Sequence, residues 1–487
     1  MCQCEPRGRA RWAPSSIPPR RLRASNTVRA RTSLTLRRVR PPVRSVMTKR
    51  VSPRAASMAT TVGSSSSSHK RKRETSNIYL RLMDRQIDSS ARHNFIKRSS
   101  RERFSNISLE RTLDMFKDMW GQHVLLATRH RIQELCCTAD GLIFGLTTNG
   151  VCACFDKSGD RLFVLNHDDN EVVRSLFHNK HNDTLIAVSV FAADQYSCLR
   201  CRASAISALR QGICNQFTEL FATESLRWPG FVEFDDVNGK VLTLSADMTT
   251  YKVWSMADPA VLLYAFNESR VPEGISEIKI SPGVMLLVSN YNKSQTHLAL
   301  KLLAIEDGTT LRSLKQPMKR DREIEVIEQF NEKLLLKQQG SPLLIIDLLT
   351  SRVVKLKDFR VRPTGFIFLY ENHTFLSLKD TTITMWNFHG EKVASFEDHK
   401  LCLPIPEIEH TSIVYVTHSQ DMIISLCDDG DDGSSIHVSS IKSGKCLARI
   451  DRQATHKRSL ITALCYSEET GDIITGDENG RIQVWSN

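Results

Sequence analysis

Several things are scarce in this chain of 487 residues, and each scarcity excludes something. No apolar run approaches the roughly 18 residues that a membrane-spanning helix needs, so the sequence predicts a soluble protein with no membrane contact. The 13 cysteines are scattered through predicted strands without a compact framework. That pattern fits reduced, buried thiols of the cytosol or nucleus better than a disulfide scaffold. There is no Walker loop, dinucleotide fingerprint, Gly-x-Ser-x-Gly elbow or His-Glu-x-x-His motif. No catalytic residue and no cofactor is therefore predicted. Acids are nearly missing from residues 1–73, where Glu5 stands against 19 Lys or Arg. Aromatics are nearly missing from residues 1–76, where Trp12 stands alone.

These last two scarcities divide the chain. The overall charge of +12 is an average over a basic tail and a body with 47 basic and 53 acidic residues. Residues 1–76 carry too little apolar surface to offset chain entropy and are expected to be disordered. Within them, residues 1–57 are Arg- and Ser-rich, which is the composition of an organellar transit peptide. Met58 would serve as an alternative start. Lys70, Arg71, Lys72 and Arg73 form a short basic cluster of the nuclear-localisation kind. The nucleus is the expected location, with the cytoplasm or an organelle as alternatives. The tail would also meet nucleic acid through phosphate contacts without sequence preference. Its lack of aromatics argues against base stacking.

Residues 77–121 are expected to form a partly helical linker. Leu109, Leu113, Phe116 and Trp120 recur at helical spacing behind Ser108, which predicts an amphipathic helix over 108–120. His123 to Thr128 (HVLLAT) reads as a strand.

Beyond Arg131 the chain repeats a unit of four strands. Third strands begin near Val151, Ser197, Tyr251, Leu298, Leu343, Ile383, Ile436 and Arg481, at spacings of 46, 54, 47, 45, 40, 53 and 45 residues. That period belongs to propeller blades and is too long for ankyrin or tetratricopeptide repeats. Eight units predict an all-β, eight-bladed propeller over 122–487, with seven blades as the alternative. The least clear fourth strand belongs to the Cys198 unit. The last unit stops after its third strand, Arg481-Ile482-Gln483-Val484-Trp485. Its fourth strand must come from the N-terminal edge of the domain, and HVLLAT is the expected donor.

Thr475-Gly476-Asp477-Glu478-Asn479-Gly480 and the strand ending in Trp485 resemble the closing half of a WD40 repeat. The turn in IKSGKCLARI resembles that family's third-to-fourth-strand turn. The likeness runs from about His123 to the end. It implies a structural hydrogen-bonded set: His456, Thr475 and Trp485 in the last unit, with Asn479 where the family has Asp. It implies likewise Asp380 and Trp386 in the sixth unit, His399 opening the seventh, and Trp254 in the third with Asp247 displaced by one position. No Trp is followed by Asp, so the Trp-Asp-x-Arg box used to dock on ubiquitin-ligase adaptors is missing.

The remaining chemistry is sparse. Cys198-Leu199-Arg200-Cys201 is a lone CxxC without a second pair, and residues three apart on a strand face opposite ways. No metal site is expected there or at Cys136-Cys137. Asp428, Asp429, Asp431 and Asp432 form an acidic hairpin loop that a basic partner would contact. The function this reading predicts is a non-catalytic protein-interaction scaffold in a nuclear multiprotein complex. A nucleic-acid-associated protein and a ubiquitin-ligase substrate receptor are the alternatives.

Overall fold

In the computed structural model, described residues run from Phe104 to Asn487, apart from 105, 118–127, 169, 180–181, 226–232, 236–238, 256–260, 268–273, 357–358, 360–362, 364, 371, 380–381, 397–400, 402–413, 418–419, 429–433 and 451–458. They form eight four-stranded antiparallel sheets. Each sheet is one blade, and seven of them follow the chain as simple meanders. The predicted third strands are third in every sheet: Cys152–Phe155, Cys198–Ala205, Thr250–Ser255, His297–Ala304, Leu343–Asp347, Thr382–Asn387, Ser434–Ser440 and Arg481–Ser486.

The core is not one mass but eight layers, one between each pair of neighbouring blades. Ile186, Val188 and Leu199 of blade two pack on Val241 of blade three. Leu286, Leu300 and Leu302 of blade four pack on Leu334, Leu336 and Ile346 of blade five. Leu113, Ile132, Ala153, Ile474 and Ile482 join blade eight to blade one. Second strands such as Ile143–Thr147 and Val284–Ser289 are buried along their whole length, because both sheet faces are covered by neighbours. Fourth strands such as Thr310–Pro317 alternate exposed and half-buried residues and form the outer rim.

Blade eight is completed by the strand Ser108–Asp114, which pairs antiparallel with Arg481–Ser486. Two expectations are corrected here. Residues 108–114 are a strand and not the start of an amphipathic helix. Arg111 and Leu113 face blade one, but a bulge between Leu109 and Arg111 turns Leu109 into the layer against blade seven, and this hides the period of two. Leu109, Leu113 and Phe116 are left to mimic a helical stripe. The donor of the closing strand is thus 108–114 rather than 123–128, most of which lies outside the described residues. The blade count is eight, not seven. In blade two, the helix Ile206–Arg210 and a turn separate the third strand from the fourth, Thr218–Ser225. That insertion explains the long spacing of 54 and the faint fourth strand.

Candidate functional site

Three indoles make the same contact. Trp254 Nε1–H donates to Thr243 Oγ1 at 2.9 Å, Trp386 to Ser377 Oγ at 2.9 Å and Trp485 to Thr475 Oγ1 at 3.0 Å. Each bond ties the third strand of a blade to its second. Thr475 and Trp485 are both buried, so the pair satisfies polar groups that water does not reach. The carboxylate of this turn is Asp477 and not residue 479. It accepts the backbone N–H of Asn479 at 2.9 Å and of Arg481 at 2.8 Å, and the hydroxyl of Ser459 at 2.8 Å. Asp247 caps its own turn through Thr249 N–H at 3.1 Å. These contacts hold blade geometry.

Several sequence candidates fall outside the described residues: Lys70 to Arg73, Asp380, His399, His456, Asp429, Asp431 and Asp432. Asp428 ends the second strand of blade seven, Met422–Asp428. In the CxxC, Cys201 is buried opposite Phe221, and burial pushes its thiol up, while Cys198 is half-buried. Among the described residues no three His, Cys, Asp or Glu side chains converge as a metal site. No helix among them is long and apolar enough to cross a membrane.

The structure offers a different site, an open groove of about 290 Å³ where blade four meets the connection to blade five. Its floor is Ser289 and Ala299, joined by the Ala299 N–H to Ser289 Oγ bond at 3.2 Å. Thr296 and His297 form one wall, with the Thr296 hydroxyl 2.8 Å from His297 Nδ1. Lys315 and Arg320 are exposed at the mouth. Residues 315–323 (KQPMKRDRE) carry four basic side chains and two acidic ones. One acid, Glu323, is held by Lys293 at 2.6 Å. The mouth is therefore net positive.

The groove is pinned by an amide. Gln338, buried at the end of the second strand of blade five, accepts the Lys319 N–H at 2.9 Å and donates to the Lys319 carbonyl at 3.0 Å. It also donates to Tyr291 Oη at 3.3 Å. Met318 N–H to the Thr296 carbonyl at 2.7 Å and Asp321 N–H to the Lys293 carbonyl at 2.9 Å suture the connection to the opposite wall. Below it, Lys279 on the first strand of blade four reaches Glu328 on that of blade five at 3.4 Å. Sequence reasoning passed over this site. The signal was the basic run KQPMKR, which ends the fourth strand of blade four and enters the connection to blade five, far from the tail.

These features define an eight-bladed β-propeller, a fold compatible with a protein-interaction scaffold, with a polar, cation-rimmed groove. The chain belongs to the family described as Domain of unknown function (DUF7899), whose model matches residues 92–485. No curated protein matches it. Among solved structures it is similar to the computationally designed Ika8 protein, at 17% identity over 74% of this chain and 97% of that one, with a TM-score of 0.48. It is also similar to BamB from Moraxella catarrhalis, at 13% identity over 78% of this chain and 100% of that one, with a TM-score of 0.43.

Proposed function

We propose that this chain is a non-catalytic protein-interaction scaffold, a divergent propeller of the WD40 kind that assembles a nuclear multiprotein complex. In this reading the groove between blade four and its connection to blade five takes an acidic segment of a partner protein. The observation that carries it is the pair of exposed cations, Lys315 and Arg320, set over a floor and beside a connection that half-buried hydrogen bonds fix in place. A preorganised wall lowers the ordering cost of binding, and cations at the rim favour acidic partners and speed their encounter. Hydroxyls of Ser294 and Thr296 and the Gln295 amide supply further hydrogen-bonding groups for an extended backbone. The nuclear address rests on Lys70, Arg71, Lys72 and Arg73.

The test is a titration of the purified full chain with fluorescent peptides rich in Glu and Ser, alongside neutral and Lys-rich peptides. Acidic peptides are expected to bind best, and the double variant Lys315→Glu, Arg320→Glu to bind them about tenfold more weakly. Equal binding of all three peptide classes, or an unchanged affinity in the variant, would remove the groove from this account.

A further inference from the structure

Cys136 and Cys137 end the first strand of blade one, Ile132–Cys137, and their side chains leave it on opposite faces. Cys136 packs into the layer between blades one and two. Cys137 packs into the layer between blades eight and one, beside Cys465 on the first strand of blade eight. The Cys137 Sγ and Cys465 Sγ atoms are 3.3 Å apart, although 328 positions separate the residues in sequence. Both residues are half-buried and both thiols are free.

The place of this contact gives it meaning. The ring is closed by the ladder of Ser108–Asp114 on Arg481–Ser486 within blade eight, whereas the first strands of blades one and eight belong to different sheets and share no ladder. This junction relies on apolar packing and on single contacts such as Thr462 Oγ1–H to the Ile132 carbonyl at 2.6 Å. A covalent link would act there as a fastener between the two ends of the blade series.

We propose that Cys137 and Cys465 are a redox-active thiol pair, which a peroxide converts to a disulfide that fastens blade one to blade eight. The balance is simple. The two thiols give up two protons and two electrons, and one S–S bond forms. Hydrogen peroxide takes both electrons, its O–O bond breaks, and two water molecules leave. A thiol reductant reverses the step by exchange through a mixed disulfide. The hydrogen bond between the two sulfurs, and then burial, push the Cys137 thiol well up. Thiolate is therefore scarce, and the pair is expected to oxidise over a longer time than an exposed, activated cysteine.

The experiment uses the full chain, incubated with hydrogen peroxide and then with dithiothreitol. Peptide mapping under non-reducing conditions should find a fragment linking Cys137 to Cys465 that the reductant abolishes. Closing so long a loop is expected to raise the Tm by about 5 °C. Cys136→Ser should keep both signals, while Cys137→Ser and Cys465→Ser should each lose them. The mapping of the unaltered protein decides the matter even where a variant folds poorly. A disulfide through Cys136, or oxidation of other cysteines with no link between 137 and 465, would overturn the proposal.

Discussion

Single side chains show where the sequence speaks and where it is silent. Trp254, Trp386 and Trp485 stand out at the same place in three repeats. Of their hydroxyl partners, Thr475 was legible by resemblance. Thr243 and Ser377 were not, because many Thr and Ser residues occupy strands and only the fold selects the one facing an indole. The structural weight of the last pair is testable. Thr475→Val keeps the shape and strands the buried Trp485 N–H, at a cost of about 1–3 kcal/mol in urea unfolding. A loss well below that range would mean that water reaches the indole. A second residue governs acid stability. Asp347 of blade five is partly buried, which alone would raise its pKa. The Lys333 ammonium and the Thr350 hydrogen bonds outweigh burial and lower it from 3.8 to about 2. A carboxyl depressed in the folded state adds stability that is complete above its unfolded pKa and disappears as the pH falls through the folded one. The contribution should therefore fade between about pH 4 and pH 2. Asp347→Asn should flatten the stability curve in that window, and an unchanged slope there would contradict the assignment.

At the scale of elements, the decisive piece is the strand Ser108–Asp114. The strand joins the N-terminal edge of the described propeller to the last repeat unit. Its position was hidden, because a bulge between Leu109 and Arg111 sends Leu109 toward blade seven and Leu113 toward blade one, so no single apolar face alternates. As the outer strand of blade eight it leaves Ser108, Glu110 and Thr112 exposed, which weakens its apolar signal further. Removing the strand would leave the outer edge of Arg481–Ser486 unpaired and open to other chains. A fragment of residues 104–487 is accordingly expected to unfold in one cooperative step and stay monodisperse, and a fragment of 118–487 to aggregate. Light scattering and calorimetry distinguish the two. Gly480 holds the same closure. Its φ of +75° suits glycine, and a Cβ there would lie 2.2 Å from the Phe116 ring. Gly480→Ala should cost about 1–3 kcal/mol through strain and collision together. A neutral result would show that the turn and Phe116 can both give way.

For the whole molecule, the period of the repeats conveyed the architecture because every blade must bury two faces, and that demand is written into every strand. The groove was hidden for the opposite reason. It is made of mostly polar residues from three strands of blade four and from the connection to blade five, and nothing in their spacing brings them together before the blade is formed. The overall charge pointed away from it as well, since the body is mildly acidic and the basic stretch at 315–322 is a local exception. The proposed binding face is one cation-rimmed groove on a closed eight-bladed ring. The measurement that tests this most directly is cross-linking mass spectrometry of the tagged full chain in nuclear extract, beside the Lys315→Glu, Arg320→Glu variant. Cross-links to acidic partner segments should gather at Lys293 and Lys319 around the groove and fall away in the variant. Cross-links gathered on another face, and unchanged in the variant, would contradict the account.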